Sequence, residues 1–222
     1  MKASSERKRK GARTTQRDGA PPTRGGTKGM PRAVREQRLL DAAERAFAGR
    51  SYHEVSMDDV AAEAGVTKPM IYAYFGSKQG LFLGCVRRAY ARGIERVEAA
   101  GAAAGSPEEQ AARVLDAVFR WVDDYREQWP LVFGAQVPGG LIANEAASSR
   151  AGMVAAIAGL IRRWVPDPQA PEEVEPLAEA IVGAVTALAD HWIRHPEEPR
   201  ELQVLRALRI AGPPIMALAE AR

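Results

Sequence analysis

Between Ser56 and Phe75 the chain has room for two short helices and one tight turn, and for little else. Ser56 can accept a bond from the backbone three residues on, and Asp59 stands where an acid reaches back to the cap, so a helix is predicted over Met57 to Ala64. Gly65 ends it with the positive φ that a tight turn needs. Thr67 then opens a third helix with Pro69 in its first turn, where a missing N–H removes no bond. Helices joined this closely cross steeply and need a small side chain where they touch, which Ala61 supplies. Val60, Ala64, Val66 and Ile71 fall where the pair would face each other and a preceding helix. The start of the third helix is left exposed.

The rest of the chain reads as helix broken by Gly and Pro, without strand-like alternation, so the class is all-α. An N-terminal three-helix helix-turn-helix domain over 32–78 precedes a larger helical domain over 79–222, linked by a helix at 77–100. The first helix is expected from Pro31 to Gly49, with Leu39, Leu40, Ala43 and Phe47 on one face. A fourth begins at Ser77, carries Phe82, Val86, Tyr90, Ile94 and Val97 along a stripe, and is expected to stop at Gly101 and Gly105. Ser106, Pro107 and Glu109 form a strong helix start, and that helix is expected to reach Gln128. Further helices are predicted at 140–164, 172–194 and 199–220, with Gly212, Pro213 and Pro214 breaking or kinking the last.

Charge is distributed unevenly. Residues 1–38 hold twelve Lys or Arg against Glu6, Asp18 and Glu36, a net of +9, which leaves −6 for the remainder of a chain whose overall charge is +3. Residues 1–31 contain almost no large apolar side chain and are expected to form a disordered basic arm. Such an arm suits a polyanion, because neutralised phosphates release condensed counterions; a solvated tail without a partner is the other reading. The single cysteine, Cys85, excludes an internal disulfide and points to a reducing cytoplasm. The apolar run at residues 180–189 is too short to span a bilayer, so no membrane partner is expected. No spacing of Cys and His calls for a metal, and none of the sequence calls for a cofactor.

The exposed face of the third helix presents Thr67, Lys68, Met70, Tyr72 and Tyr74, with Lys78 opening the next helix. Side chains so placed suit a major groove: the lysines, Thr67 and the tyrosine hydroxyls toward phosphates, Met70 toward a base edge such as a thymine methyl. At these residues the sequence resembles the TetR family of bacterial regulators. The resemblance covers residues 35–86, including Leu40, Asp41, Ala42, Ala43, Phe47, Ser56, Met57, Ile71, Tyr72, Tyr74, Phe75, Gly76, Ser77 and Lys78. It implies a DNA-binding transcriptional regulator and a homodimer built on the last two long helices. It further implies a palindromic double-stranded operator, released when a small hydrophobic effector enters the C-terminal domain. Carried across by position, Thr67, Lys68, Tyr72, Tyr74 and Lys78 become DNA contacts. Two departures bear on the operator: Pro69 and Met70 stand where members often carry small or hydroxyl residues, and Ala73 where many have His. The alternative for Tyr72 and Tyr74 is partly buried scaffold.

Beyond residue 101 the reading is physical. Leu177, Ile181, Val185, Leu188 and Trp192 form one stripe, followed by Leu202, Leu205 and Leu208, and such pairs either close a four-helix interface with a second copy or pack within the chain. Effector-cavity candidates are Phe119, Trp121, Tyr125, Trp129, Phe133, Met153, Trp164 and His191, with Tyr125, Trp129 and His191 chosen as ligand-binding. His191 reads either as an effector contact or as a structural histidine, and Cys85 as a redox sensor or an inert packed thiol. No nucleophile elbow, phosphate loop, HExxH or dinucleotide fingerprint is present, so an enzyme is not expected. A non-specific architectural DNA binder is the remaining alternative.

Overall fold

The computed structural model describes residues 30–129, 140–168 and 170–220, and among them every regular element is a helix. In chain order these are α1 (Arg32–Phe47), α2 (Met57–Ala64), α3 (Lys68–Phe75), α4 (Lys78–Ala102), α5 (Pro107–Asp124), α6 (Leu141–Trp164), α7 (Val174–Arg194) and α8 (Arg200–Glu220), with a 3-10 turn at Pro171–Glu173 before α7. The basic arm expected over 1–31 falls almost wholly outside the described residues, as does Phe133.

The local signals of the first unit act as the sequence implies. Ser56 accepts from the Asp59 N–H while the Asp59 carboxylate accepts from the Ser56 N–H, closing a capping box. Gly65 ends α2 at φ 63°, in the left-handed region. Ser106 and Glu109 repeat the box at the start of α5. α1 packs on α2 and α4, and α3 packs on α2 and α4. Leu39, Leu40, Phe47, Val60 and Ile71 are buried between them.

α4 carries this unit into the C-terminal bundle. It packs on both α5 and α6, α6 packs on α7, and α8 closes against α5 and α7. The apolar core is continuous through α4: Phe82, Cys85 and Val86 belong to the same cluster as Phe119, Trp121 and Trp192. A second cluster joins Ile161, Val174, Ile181, Ala211 and Leu218 of α6, α7 and α8.

At three helix ends the structure differs in detail from expectation. Gly101 lies inside α4 and is buried; a Cβ there would collide with Leu160 of α6, so this glycine serves close helix approach, not termination. α5 stops at Asp124, short of Gln128, because the chain tightens at Tyr125, whose carbonyl accepts from Trp129 N at 2.7 Å. α8 runs unbroken through Pro213 and Pro214. The two prolines forfeit backbone bonds, and Ala211 and Leu218 on either side are buried in the second cluster.

The stripe assigned to a second copy also turns inward in part. Ile181 and Trp192 are buried in the chain's own core, while Leu205 of α8 stands 52% exposed. Burial pushes the Cys85 thiol up to about 12, which favours the inert reading over the redox sensor. Among the described residues, no helix is long and apolar enough to cross a membrane.

Candidate nucleic-acid interface and effector cavity

α3 stands out from the first unit by its leading turn. Thr67 caps it with extended backbone, and no side-chain cap bond occupies its hydroxyl. Thr67 is exposed, Lys68 and Met70 are half-buried, and Tyr72 is 41% exposed. Ile71, on the opposite face, is fully buried and fixes the helix to its neighbours. Lys68 Nζ lies 2.9 Å from the Asp58 carboxylate, and this contact holds the ammonium above its usual pKa.

Tyr74 and Lys78 are built into the scaffold more than their positions in the sequence suggest. The Tyr74 hydroxyl accepts from Arg35 Nη1 at 3.3 Å, and the Arg32 guanidinium lies 4.7 Å from the centre of its ring. Lys78 Nζ sits 4.4 Å above the Tyr52 ring, and burial there draws its pKa below the ordinary lysine value. Arg32 and Arg35, which sequence reasoning missed, thus gather at Tyr74, while Lys78 lies against Tyr52.

A signal for those two arginines does exist. α1, α3 and α4 have no acid in their first turns and begin with Arg32, Lys68 and Lys78, whereas α2 and α5 begin with Asp58, Asp59, Glu108 and Glu109. A cation at a helix N-terminus opposes the macrodipole and is compensated by an external anion such as a phosphate.

In the bundle, a narrow cavity of about 50 Å³ lies between α5, α6 and α7. Val118 and Trp121 of α5, Trp129, Met153 of α6, and Val182 and Val185 of α7 line it, and none of its walls is charged. Trp129 Nε1 donates to Asp190 at 2.8 Å, and the hydroxyl of Thr186, also on the wall, donates to the Val182 carbonyl at 2.7 Å. A second cavity of about 50 Å³ shares Val114, Leu115, Ile157 and Ile181 with the first and continues toward Trp164 and Leu208.

Of the three residues chosen as ligand-binding, only Trp129 lines this space. Tyr125 turns toward α4, where its hydroxyl accepts from Arg92 at 2.8 Å, and burial raises its pKa. His191 faces the α7–α8 corner, 4.4 Å from the His195 ring and 3.3 Å from the Glu198 carboxylate. Both sit at helix ends, where one turn of the chain decides the direction of a side chain that periodicity cannot fix. Trp121 and Met153, in the wider candidate set, do line the cavity.

A short helix braced by two others, with an uncovered leading turn and flanking cations, defines a helix-turn-helix DNA-binding protein. The comparisons agree. The model of bacterial regulatory proteins of the tetR family matches residues 39–85, and that of the tetracyclin repressor-like C-terminal domain matches residues 107–210. The crystal structure of a TetR-like transcriptional regulator from Rhodococcus sp. RHA1 is 35% identical, covers 82% of this chain and 96% of that one, and superposes with a TM-score of 0.63. The chain belongs to the TetR family of transcriptional regulators.

The transcriptional activator FasR of Mycolicibacterium smegmatis is 30% identical over 125 residues, which is 55% of this chain and 57% of that protein. The chain thus spans little more than half the length of this curated relative. The regulator FadR from Bacillus subtilis, solved in complex with stearoyl-CoA, is 17% identical with a TM-score of 0.66 over 84% of this chain and 98% of that one, a likeness of fold.

Proposed function

We propose that the chain is a homodimeric repressor that holds a palindromic double-stranded operator and releases it when an apolar effector enters the C-terminal bundle. Thr67, Lys68, Tyr72 and Lys78 contact phosphates, Met70 touches a base edge, and Tyr74 holds Arg32 and Arg35 beside the backbone. The outward faces of α7 and α8, with Ala180, Ala187, Leu205 and Met216 exposed, form the interface between copies. The observation that carries the reading is the uncovered first turn of α3 among basic helix starts.

An effector with a long apolar part fits the uncharged cavity walls, and the stearoyl-CoA bound by the FadR neighbour supports an acyl chain. At about 50 Å³ the space is far smaller than the roughly 300 Å³ at the lower end of ligand pockets. Entry must therefore part the walls, and a ligand that favours the parted state shifts the population toward it.

The activator FasR favours a second reading, in which the same release switches genes off. Selection of preferred sites from random duplexes, followed by titration against the DNA upstream of the chain's own gene, tests the core of both. A two-fold symmetric preferred site is expected; equal affinity for all duplexes would overturn sequence-specific regulation and leave an architectural binder. A reporter under that upstream DNA then separates repression from activation.

A further inference from the structure

The turn that follows α5 touches both halves of the molecule. Trp121 and Trp129 form an edge-to-face pair on the cavity wall, ring centres 5.6 Å apart, and Tyr125 packs its ring 6.4 Å from that of Trp121. Two residues on, the Glu127 carbonyl accepts from the Gly49 N–H, just past the end of α1, at 3.4 Å. The Tyr125 hydroxyl receives Arg92 Nη1 at 2.8 Å, and the same nitrogen lies 3.4 Å from the Glu44 carboxylate of α1. Arg88, one turn earlier on α4, donates to Glu44 at 2.9 Å and to Asp41 at 2.8 Å. Arg88 and Glu44 are largely buried, so their charge-assisted bond is little screened by water, while Arg92 is 41% exposed and bonds to the buried Tyr125 from the edge of the site.

We propose that Tyr125 is the positioning residue through which occupancy of the cavity reaches the DNA-binding helices, acting on Glu44 through Arg92. The inference rests on the effector reading above. A ligand that parts the walls must displace the Trp121–Trp129 pair, and Tyr125 cannot keep both its ring contact with Trp121 and its bond to Arg92 unless α4 or the turn moves with it. Arg92 then redistributes between Tyr125 and Glu44, and α1 shifts against α4. A merely structural Tyr125 would lower stability without altering how the cavity and the DNA site communicate.

The test is a double-mutant cycle read by operator affinity, without any ligand. Val182→Phe fills the cavity from α7, and Tyr125→Phe removes only the hydroxyl. In the otherwise wild-type chain, Val182→Phe is expected to change operator affinity tenfold or more. In the Tyr125→Phe background the same substitution is expected to change it less than threefold. Equal effects in both backgrounds, or no effect of Val182→Phe on the wild type, would overturn the proposal. Circular dichroism checks that each variant is folded, and Val185→Leu, a smaller addition to the same wall, replaces Val182→Phe if it is not. Hydrogen exchange over α1 supplies a second reading: faster exchange on cavity filling, suppressed by Tyr125→Phe, is expected, and an unsuppressed change would overturn the role of Tyr125.

Stearoyl-CoA added to the wild-type chain tests the effector class separately. If it leaves operator binding unchanged while the cycle is non-additive, the acyl effector is wrong and the coupling stands. If the cycle is additive, the coupling is wrong whatever stearoyl-CoA does.

Discussion

Lys68 Nζ and Asp58 Oδ2 lie 2.9 Å apart across the turn between α2 and α3, so the first cation of the reading helix is held by an acid on the helix before it. Both side chains are well exposed, at 42% and 73%. A pair in that setting is weak, and a phosphate can draw Lys68 away.

Asp58→Asn should therefore tighten binding to any duplex by roughly three- to tenfold at low salt, because it removes an acid next to the approaching phosphates. The gain should fade as salt is raised. Fluorescence anisotropy over a salt series measures it, and weaker binding at low salt would contradict the placement of Lys68 at the DNA.

Gly93 brings α4 against the cavity wall with no side chain between. A Cβ at this position would lie 2.6 Å from Trp121 Cζ2, and Trp121 is buried. Gly93→Ala should cost about 1–3 kcal/mol by overpacking, with a shift in tryptophan emission as the indole is displaced. Chemical denaturation gives the first quantity. A variant as stable as the wild type would mean that the wall yields freely.

On α8, Leu205 is expected to meet its counterpart in the second copy. Leu205→Glu should weaken self-association at least tenfold, about 1.4 kcal/mol or more, while helix content is kept. Sedimentation equilibrium decides the matter, and a wild-type chain that sediments as a monomer would remove the interface altogether.

Glu198 gathers the corner between α7 and α8. Its carboxylate accepts from Arg206 and from Gln203 Nε2, with His191 beside it, and Arg206 above all holds its pKa down from 4.5 to about 2. A folded value below the unfolded one means that the contribution to stability is complete above the ordinary glutamate range and is lost as pH falls from about 4.5 toward 2. Glu198→Gln should make stability less steep in pH across that window. An unchanged slope in acid denaturation would show that the Arg206 contact does not bind protons differently in the two states.

What could be read in the sequence was what neighbouring residues decide. The capping box of Ser56 and Asp59, the left-handed Gly65 and the small Ala61 each act within a turn or two, and together they located α2 to the residue and the start of α3 to within one. Features set by distant packing were hidden. Gly101 looked like a stop signal and proved to be a site of close approach for Leu160, and Pro213 and Pro214 lie inside α8 with buried neighbours on both sides. Tyr125 and His191 turn away from the cavity because their directions depend on Arg92, which lies on another helix, and on Glu198, which lies beyond the end of α7, so the period of their own helices does not reveal them. Arg32 and Arg35 were legible in principle, as cations at the unfavourable end of a helix dipole.

Arg88 fastens α1 to α4 with bonds to the Gln37 carbonyl, the Gln37 side chain, Asp41 and Glu44. Movement of one helix is therefore felt by the other. With 25 residues, α4 is about 37 Å long, and pivoting it by about 5° carries its far tip roughly 3 Å, comparable to the rise of one base pair. Under the proposed release, mechanical gain of this kind lets a rearrangement no larger than a few methyl groups in the bundle throw the reading helix out of step with the groove.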